Sequence, residues 1–265
     1  MSFVPKKSLG QNFLLNQEII EKIVELGDIR KNSVVIEIGP GTGNLTLEIL
    51  KKNPHKVFAI EKDNYLFREL KKKFNQNINF INEDVLKINW SEFSNHKNIV
   101  FGNLPYNISA KLLINLIKLD NLNIIFKKFV FMFQKEVADR IVADVNTNKY
   151  GRLTILTSWK MQPKKIMDIG SKNFYPKPNV DSSVICFEPK DNFFRFNNSE
   201  NLEKVTNIFF QNKRKMIKKP LNILFKDSSK IIKKLQLDEK SRPQNLSAET
   251  FFKISKEYEK ELNLY

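Results

Sequence analysis

From Ser33 onward the chain alternates short apolar runs with amphipathic stretches, the pattern of parallel strands crossed over by helices. Strands are predicted over 34–38, 57–60, 78–82, 99–102 and 129–133. Between them, 45–52, 65–74 and 110–119 carry apolar residues at three and four spacing, with Ser109 the expected N-cap of the last. Runs over 161–169 and 182–188 suggest a hairpin-type pair finishing the sheet with an antiparallel edge. After Pro189 strand-like runs cease. Helical spacing covers 202–210, 220–225, 228–235 and 248–258, with Pro220 at a helix start and Pro243 ahead of the last segment. The expectation is a doubly wound α/β domain over 1–189 and a small all-helical domain over 190–265.

Composition narrows this picture mostly by exclusion. Of 265 residues, 41% are hydrophobic and 11% aromatic, enough for a folded core despite 28% charged positions. There are 45 basic against 29 acidic residues, a formal charge of +16, which points to a polyanionic partner. Only seven of the bases are arginine, beside 31 asparagines, as an AT-rich coding genome would produce, so part of the charge is compositional. Residues 1–180 hold 28 bases and 17 acids, and 181–265 hold 17 and 12. The single cysteine, Cys186, lies in an apolar run and permits neither an intrachain disulfide nor a cysteine-cluster metal site, and no metal is expected. His55 and His96 sit in polar surroundings without ligand spacing. No apolar run approaches the roughly 18 residues of a membrane span. The N-terminus carries no signal-peptide pattern and no arginine before Arg30, so a cytoplasmic protein is expected.

Chemistry enters at three expected strand ends. Glu37-Ile38-Gly39-Pro40-Gly41-Thr42-Gly43-Asn44 follows the first strand and opens a helix, and Gly39, Gly41 and Gly43 would let backbone amides approach an anionic ligand. A dinucleotide fingerprint needs glycine at its sixth position, where Asn44 or Thr46 stands instead. Glycine at every second position after an acid suits S-adenosylmethionine, whose carboxylate is smaller than a pyrophosphate. Glu61 ends the second strand, 18 residues after Gly43, where a carboxylate can accept from both ribose hydroxyls. Asp84 follows the third strand, placed to accept from the adenine amino group of that cofactor.

Asn103-Leu104-Pro105-Tyr106 ends the fourth strand on the same edge. Pro105 biases Leu104 toward extended backbone, which can turn its carbonyl beside the Asn103 side-chain oxygen. Two acceptors aimed at one amino group suit the exocyclic amine of a base, whose lone pair is delocalised into its ring. Accepting both protons favours a tetrahedral nitrogen, and Tyr106 would stack on the ring.

With Asn107-Ile108-Ser109 appended, that motif stands between Lys7-Ser8-Leu9-Gly10-Gln11-Asn12-Phe13-Leu14 and Phe174-Tyr175-Pro176-Lys177-Pro178-Asn179-Val180-Asp181-Ser182. Gln134-Lys135-Glu136-Val137-Ala138 with Arg140, Tyr150-Gly151-Arg152-Leu153, Phe210-Gln211-Asn212-Lys213-Arg214-Lys215 and Arg242-Pro243-Gln244-Asn245-Leu246-Ser247 follow. Together these resemble the ribosomal RNA adenine dimethyltransferase family, and within it the KsgA type, over nearly the whole chain. The resemblance implies a Rossmann-like fold. It also implies that S-adenosylmethionine is held by Asn12, Leu14, Gly39, Glu61, Asp84 and Asn103, and that two adjacent adenosines near the 3′ end of small-subunit ribosomal RNA are each methylated twice. Phe174 is expected to face Tyr106 across a flipped adenine. Lys213 stands where the family places an arginine, and lysine lacks the planar fork of a bidentate phosphate contact. With only five residues ahead of Lys6, no presequence is expected, and a bacterial cytoplasmic enzyme, acting as a monomer, is the reading.

Residues 204–226 hold seven bases and no acid among apolar residues. A basic amphipathic segment fits a membrane surface or a solvated face. With the family resemblance, Lys213, Arg214, Lys215, Lys218 and Lys219 are expected on RNA phosphates, in a domain that selects a pre-ribosomal particle by shape. Two further readings stay open, a macrolide-resistance-type methyltransferase of large-subunit (23S) RNA and a non-enzymatic nucleic-acid-binding factor derived from the family.

Overall fold

The computed structural model describes Pro5 and residues 10–74 and 78–262, with Asn107 described in its backbone alone; Lys7, Ser8 and Leu9 of the first motif lie outside them. In chain order the elements are β1 (Phe13–Leu14), α1 (Gln17–Glu25), β2 (Val34–Ile38), α2 (Asn44–Lys51), β3 (Lys56–Ile60), α3 (Asn64–Lys73), β4 (Ile78–Ile81), β5 (Asn98–Asn103), α4 (Tyr106–Ile117) and α5 (Leu122–Ile125). There follow β6 (Phe126–Gln134), α6 (Lys135–Ile141), α7 (Arg152–Lys160), β7 (Met161–Ile169), β8 (Phe174–Tyr175), β9 (Ser182–Pro189), α8 (Glu200–Gln211), α9 (Lys218–Leu224), α10 (Ser228–Lys234) and α11 (Ala248–Leu262).

Seven strands form one sheet in the order β4-β3-β2-β5-β6-β9-β7. Pairing is parallel from β4 to β6, and β9 runs antiparallel to β6 with Phe129 opposite Phe187. Every residue of β2 is buried, as expected of a strand covered on both faces. The two-residue period of β6 divides its side chains. Val130 and Met132 join Val184 and Cys186 of β9 under α1 and α2, while Phe129, Phe131 and Phe133 stack with Phe187 on the opposite face at centroid separations of 5.4–6.3 Å. At the sheet edge β7 alternates exposed and half-buried positions and carries Pro163, Lys164 and Lys165, which blunt it against pairing with another chain. β9 lies between β6 and β7, so the expected edge pair is inserted as the last two strands of the sheet.

Three local expectations change. α4 begins at Tyr106, directly after Pro105, and Ser109 lies inside it, its hydroxyl donating to the Tyr106 carbonyl, so Ser109 is no N-cap. Proline restricts only its predecessor, and the helix can start on its far side. Second, β1 and β8, two residues each, form a separate antiparallel ribbon pairing Phe13 with Tyr175 and Leu14 with Phe174. Third, the chain divides into one compact unit of 1–138 with 162–189 and another of 139–161 with 190–265. The sequence placed 139–161 in the first domain. Instead Trp159 of α7 donates its indole N–H to the Phe194 carbonyl, and α7 packs with α8 and α11, whose Phe209 and Phe251 meet edge to face. In the described residues, no helix is long and apolar enough to cross a membrane.

Two buried polar groups tie the first unit together. Asn98, 1% exposed at the start of β5, donates to the carbonyls of Phe93, His96 and Ile125 at 2.8–2.9 Å. Glu37 of β2 lies fully buried and accepts from the Thr46 hydroxyl of α2 at 2.6 Å; burial, with help from the nearby Glu61 charge, pushes its carboxyl up to about 8 against the Thr46 bond. Asn98→Ala should cost about 2 kcal/mol in denaturant unfolding, since buried carbonyls lose their donor. Because the folded Glu37 keeps its proton far above the unfolded value, the native state binds the extra proton between about 4.5 and about 8. Stability should therefore fall as pH rises through that window, and Glu37→Gln should flatten the decline in unfolding measured from pH 5 to 8.5.

Candidate active site

The strand order reverses at β2, whose neighbours β3 and β5 send their chains away in opposite directions, and a crevice opens at the carboxyl ends of the strands. A cleft of about 990 Å³, counting its open mouth, occupies that place. Gly39 and Gly41 after β2, Glu61 after β3, Asp84 after β4, Asn103, Leu104, Pro105 and Tyr106 after β5, and Asn12 from the N-terminal segment all line it.

Each is fixed by its neighbours. Gly41 has a positive φ of 60°, and a Cβ there would lie 2.7 Å from the Phe13 ring, so only glycine leaves this backbone bare against the cleft. Glu61 is 7% exposed; one carboxylate oxygen accepts from the Asp63 amide at 2.8 Å and the other from the Gly41 amide at 3.3 Å. Burial raises its pKa from the ordinary value, and those amide bonds pull against it. Asp63 in turn caps α3, accepting from the amides of Tyr65 and Leu66. Asp84 is held by the Lys62 ammonium at 2.8 Å and by the Leu86 amide at 3.0 Å, and the Lys62 bond lowers its pKa.

Asn103 donates its side-chain amide nitrogen to the Asn12 carbonyl at 2.8 Å. That bond settles which end of the amide is which. The nitrogen is committed, and the oxygen is the end left for another donor. Tyr106 opens α4, its hydroxyl 2.7 Å from Ser182 Oγ, and burial raises its pKa.

Three expected site residues stand elsewhere. Leu14 is a core residue whose carbonyl accepts from the Asn44 side chain. Gly43 caps α2 beneath Phe74 and Leu70 and does not line the cleft. Phe174, opposite Leu14 in the β1–β8 ribbon, is 4% exposed within the same core and is not among the residues lining the cleft. Conversely, Phe13, Lys62, Glu83, Val85 and Ile108 line the cleft without having been singled out. The Gln11-Asn12-Phe13 motif was the one signal available for Phe13.

In the second unit, Arg214, Lys215 and Lys219 are exposed beside Met216. Lys213 instead donates to the Asn148 carbonyl at 2.9 Å, and Lys218 pairs with Glu239 at 3.0 Å. Two of the five expected phosphate contacts are thus engaged within the unit.

Residues 3–260 match the family described as ribosomal RNA adenine dimethylase. A Pelagibacter ubique protein named ribosomal RNA small subunit methyltransferase A is 52% identical over 96% of this chain and 97% of its own. The crystal structure of a dimethyladenosine transferase from Plasmodium falciparum superposes with a TM-score of 0.81 at 29% identity, over 94% of this chain and 98% of that one. The 23S rRNA methyltransferase ErmE shares the fold, with a TM-score of 0.68 at 20% identity over 92% and 98% of the two chains. Matched from end to end in this way, the chain belongs to the ribosomal RNA adenine dimethylase family.

Proposed function

We propose that this protein transfers methyl groups from S-adenosylmethionine to the N6 amino groups of two adjacent adenosines near the 3′ end of small-subunit (16S) ribosomal RNA, giving N6,N6-dimethyladenosines as a step in ribosome biogenesis. The observation that carries the reading is Asn103, whose amide is oriented by the Asn12 carbonyl at the mouth of a nucleoside-sized cleft. The 52% identity with a protein named for the small-subunit reaction supports the choice of RNA.

The cleft residues fit the cofactor. The buried Glu61 carboxylate offers two oxygens to a pair of vicinal hydroxyls, bare backbone at Gly39 and Gly41 admits close approach, and Asp84 supplies a further acceptor in the lining. Asn12 and Asn103, bonded to each other, line the cleft as well. When bound, S-adenosylmethionine supplies an activated methyl group to an attacking nitrogen. The Asn103 oxygen and the Leu104 carbonyl accept hydrogen bonds from the two N–H groups of the adenine amine, drawing its lone pair out of conjugation toward the methyl group, whose bond to sulfur breaks and leaves a neutral thioether. Tyr106 stacks on the extruded base and holds the nitrogen in line. No side chain acts as a strong base, and the proton is lost once the nitrogen carries the new methyl.

The exposed bases Arg214, Lys215 and Lys219 supply backbone contacts to structured RNA in a pre-ribosomal particle. The enzyme acts in the cytoplasm as a monomer on this reading.

Labelled S-adenosylmethionine, offered with unmethylated small-subunit particles and with large-subunit RNA, should label two adjacent small-subunit adenosines. Label confined to large-subunit RNA would overturn the substrate, and no label at all would leave a binding factor. Asn103→Ala should retain RNA binding in a filter assay and lose more than 100-fold in transfer, since both orientation and charge stabilisation go. Reversing Arg214, Lys215 and Lys219 to glutamate should weaken RNA binding and flatten the slope of log affinity on log salt, whereas Lys213→Ala should leave that slope nearly unchanged.

A further inference from the structure

Tyr106 is the one aromatic ring at the mouth of the cleft that the mechanism asks to stack on the target base, and a stacking ring is useful only if its plane is fixed before the base arrives. α4 begins at this very residue, after a proline without a side-chain cap, so the helix end alone does not set the ring. What holds its far end is a hydroxyl from another part of the chain. Tyr106 Oη lies 2.7 Å from Ser182 Oγ, and Ser182 is 1% exposed on β9.

We propose that Ser182 is a positioning residue for the methyl-transfer reaction: its hydroxyl tethers Tyr106 so that the ring is preorganised to receive the extruded adenine. The inference rests on the activity proposed above and adds a residue that touches neither cofactor nor base.

The anchor point is itself immobilised. Ser182 pairs with Gln134 of β6 in the antiparallel register that runs to Phe129 opposite Phe187. The next residue, Ser183, faces the other side of the sheet and donates to Asp168 at 2.6 Å, and Asp168 is clamped by Lys135 and Lys165 at 2.7 Å each. Immediately before Ser182, the Asp181 carbonyl accepts from the Lys135 amide and its carboxylate from the Ser171 amide. Consecutive residues 181, 182 and 183 are therefore tied in three directions, leaving the Ser182 hydroxyl little freedom. Burial raises the Tyr106 pKa, with the Ser182 hydrogen bond pulling against it, so the phenol stays neutral. A ring tethered in this way loses less rotamer freedom when the base binds.

The test is a double-mutant cycle on Ser182→Ala and Tyr106→Phe in the full-length protein with small-subunit particles. Each single change removes one end of the tether and keeps the ring. Each should lower kcat/KM for RNA about 3- to 10-fold, the worth of one hydrogen bond, with the Kd for S-adenosylmethionine unchanged by calorimetry. The double variant should be no worse than either single one, and Ser182→Thr, which keeps a hydroxyl, should stay within about twofold of the unaltered protein. Multiplying losses, an unchanged Ser182→Ala enzyme, or a parallel loss of cofactor affinity would each overturn the tether. Should Ser182→Ala unfold, Tyr106→Phe read against Ser182→Thr still decides: a Tyr106→Phe enzyme of full efficiency refutes the proposal. An unaltered protein that methylates no adenosine would refute the activity itself, an outcome distinct from an active enzyme whose two variants behave independently.

Discussion

Parallel pairing of β2 with β3 on one side and β5 on the other is the constraint from which the site follows. Because parallel strands share a direction, their carboxyl ends gather on one edge, and because the order reverses at β2, the loops leaving that edge part and make room for a ligand. Glu61, Asp84 and Asn103 are far apart in sequence and become neighbours only through this register. A one-residue slip between β2 and β5 would move the side chains of the slipped strand to the opposite covered face and carry Asn103 away from Gly39. Burial on both faces of β2 is what makes the register unique.

The N-terminal segment completes what the sheet leaves open. Within four residues it meets α3 through Gln11 and Asp63, β5 through Asn12 and Asn103, the glycine loop through Phe13 and Gly41, and α2 through Leu14 and Asn44. Each half of the cleft is touched by this strap, and a disturbance of it reaches the cofactor wall and the methyl-accepting asparagine together. Its two-residue pairing with β8 is short, so side-chain and carbonyl bonds, more than the ladder, hold it in place.

The sheet was legible in the sequence because its strands are continuous apolar runs between helical spacings, and their expected bounds lie close to those observed. Gly39, Gly41, Glu61, Asp84 and Asn103 could be found because glycine spacing and acids at strand ends have few other uses in combination. What escaped were features whose signal is not periodic. β1 and β8 are too short to alternate. The α7 segment, 152–160, has the apolar content of a catalytic-domain helix, and nothing local tells which core receives Trp159. Phe174 and Leu14 carried family positions, yet an apolar side chain reads alike in a core and in a cleft wall, and here both sit in the core. Ser182 closed a quoted motif, but its bond to Tyr106 gave no signal, since a serine's partner 76 residues away is visible only in three dimensions.

Lys213 shows what a lysine-rich composition costs a protein of this kind. Its ammonium serves one carbonyl, that of Asn148, and a point charge does this as well as a guanidinium, whose remaining donors would find no use in such a bond. Nucleotide drift toward AT can therefore rewrite arginine as lysine wherever the side chain has a single acceptor to satisfy, and must stop where a planar fork is needed.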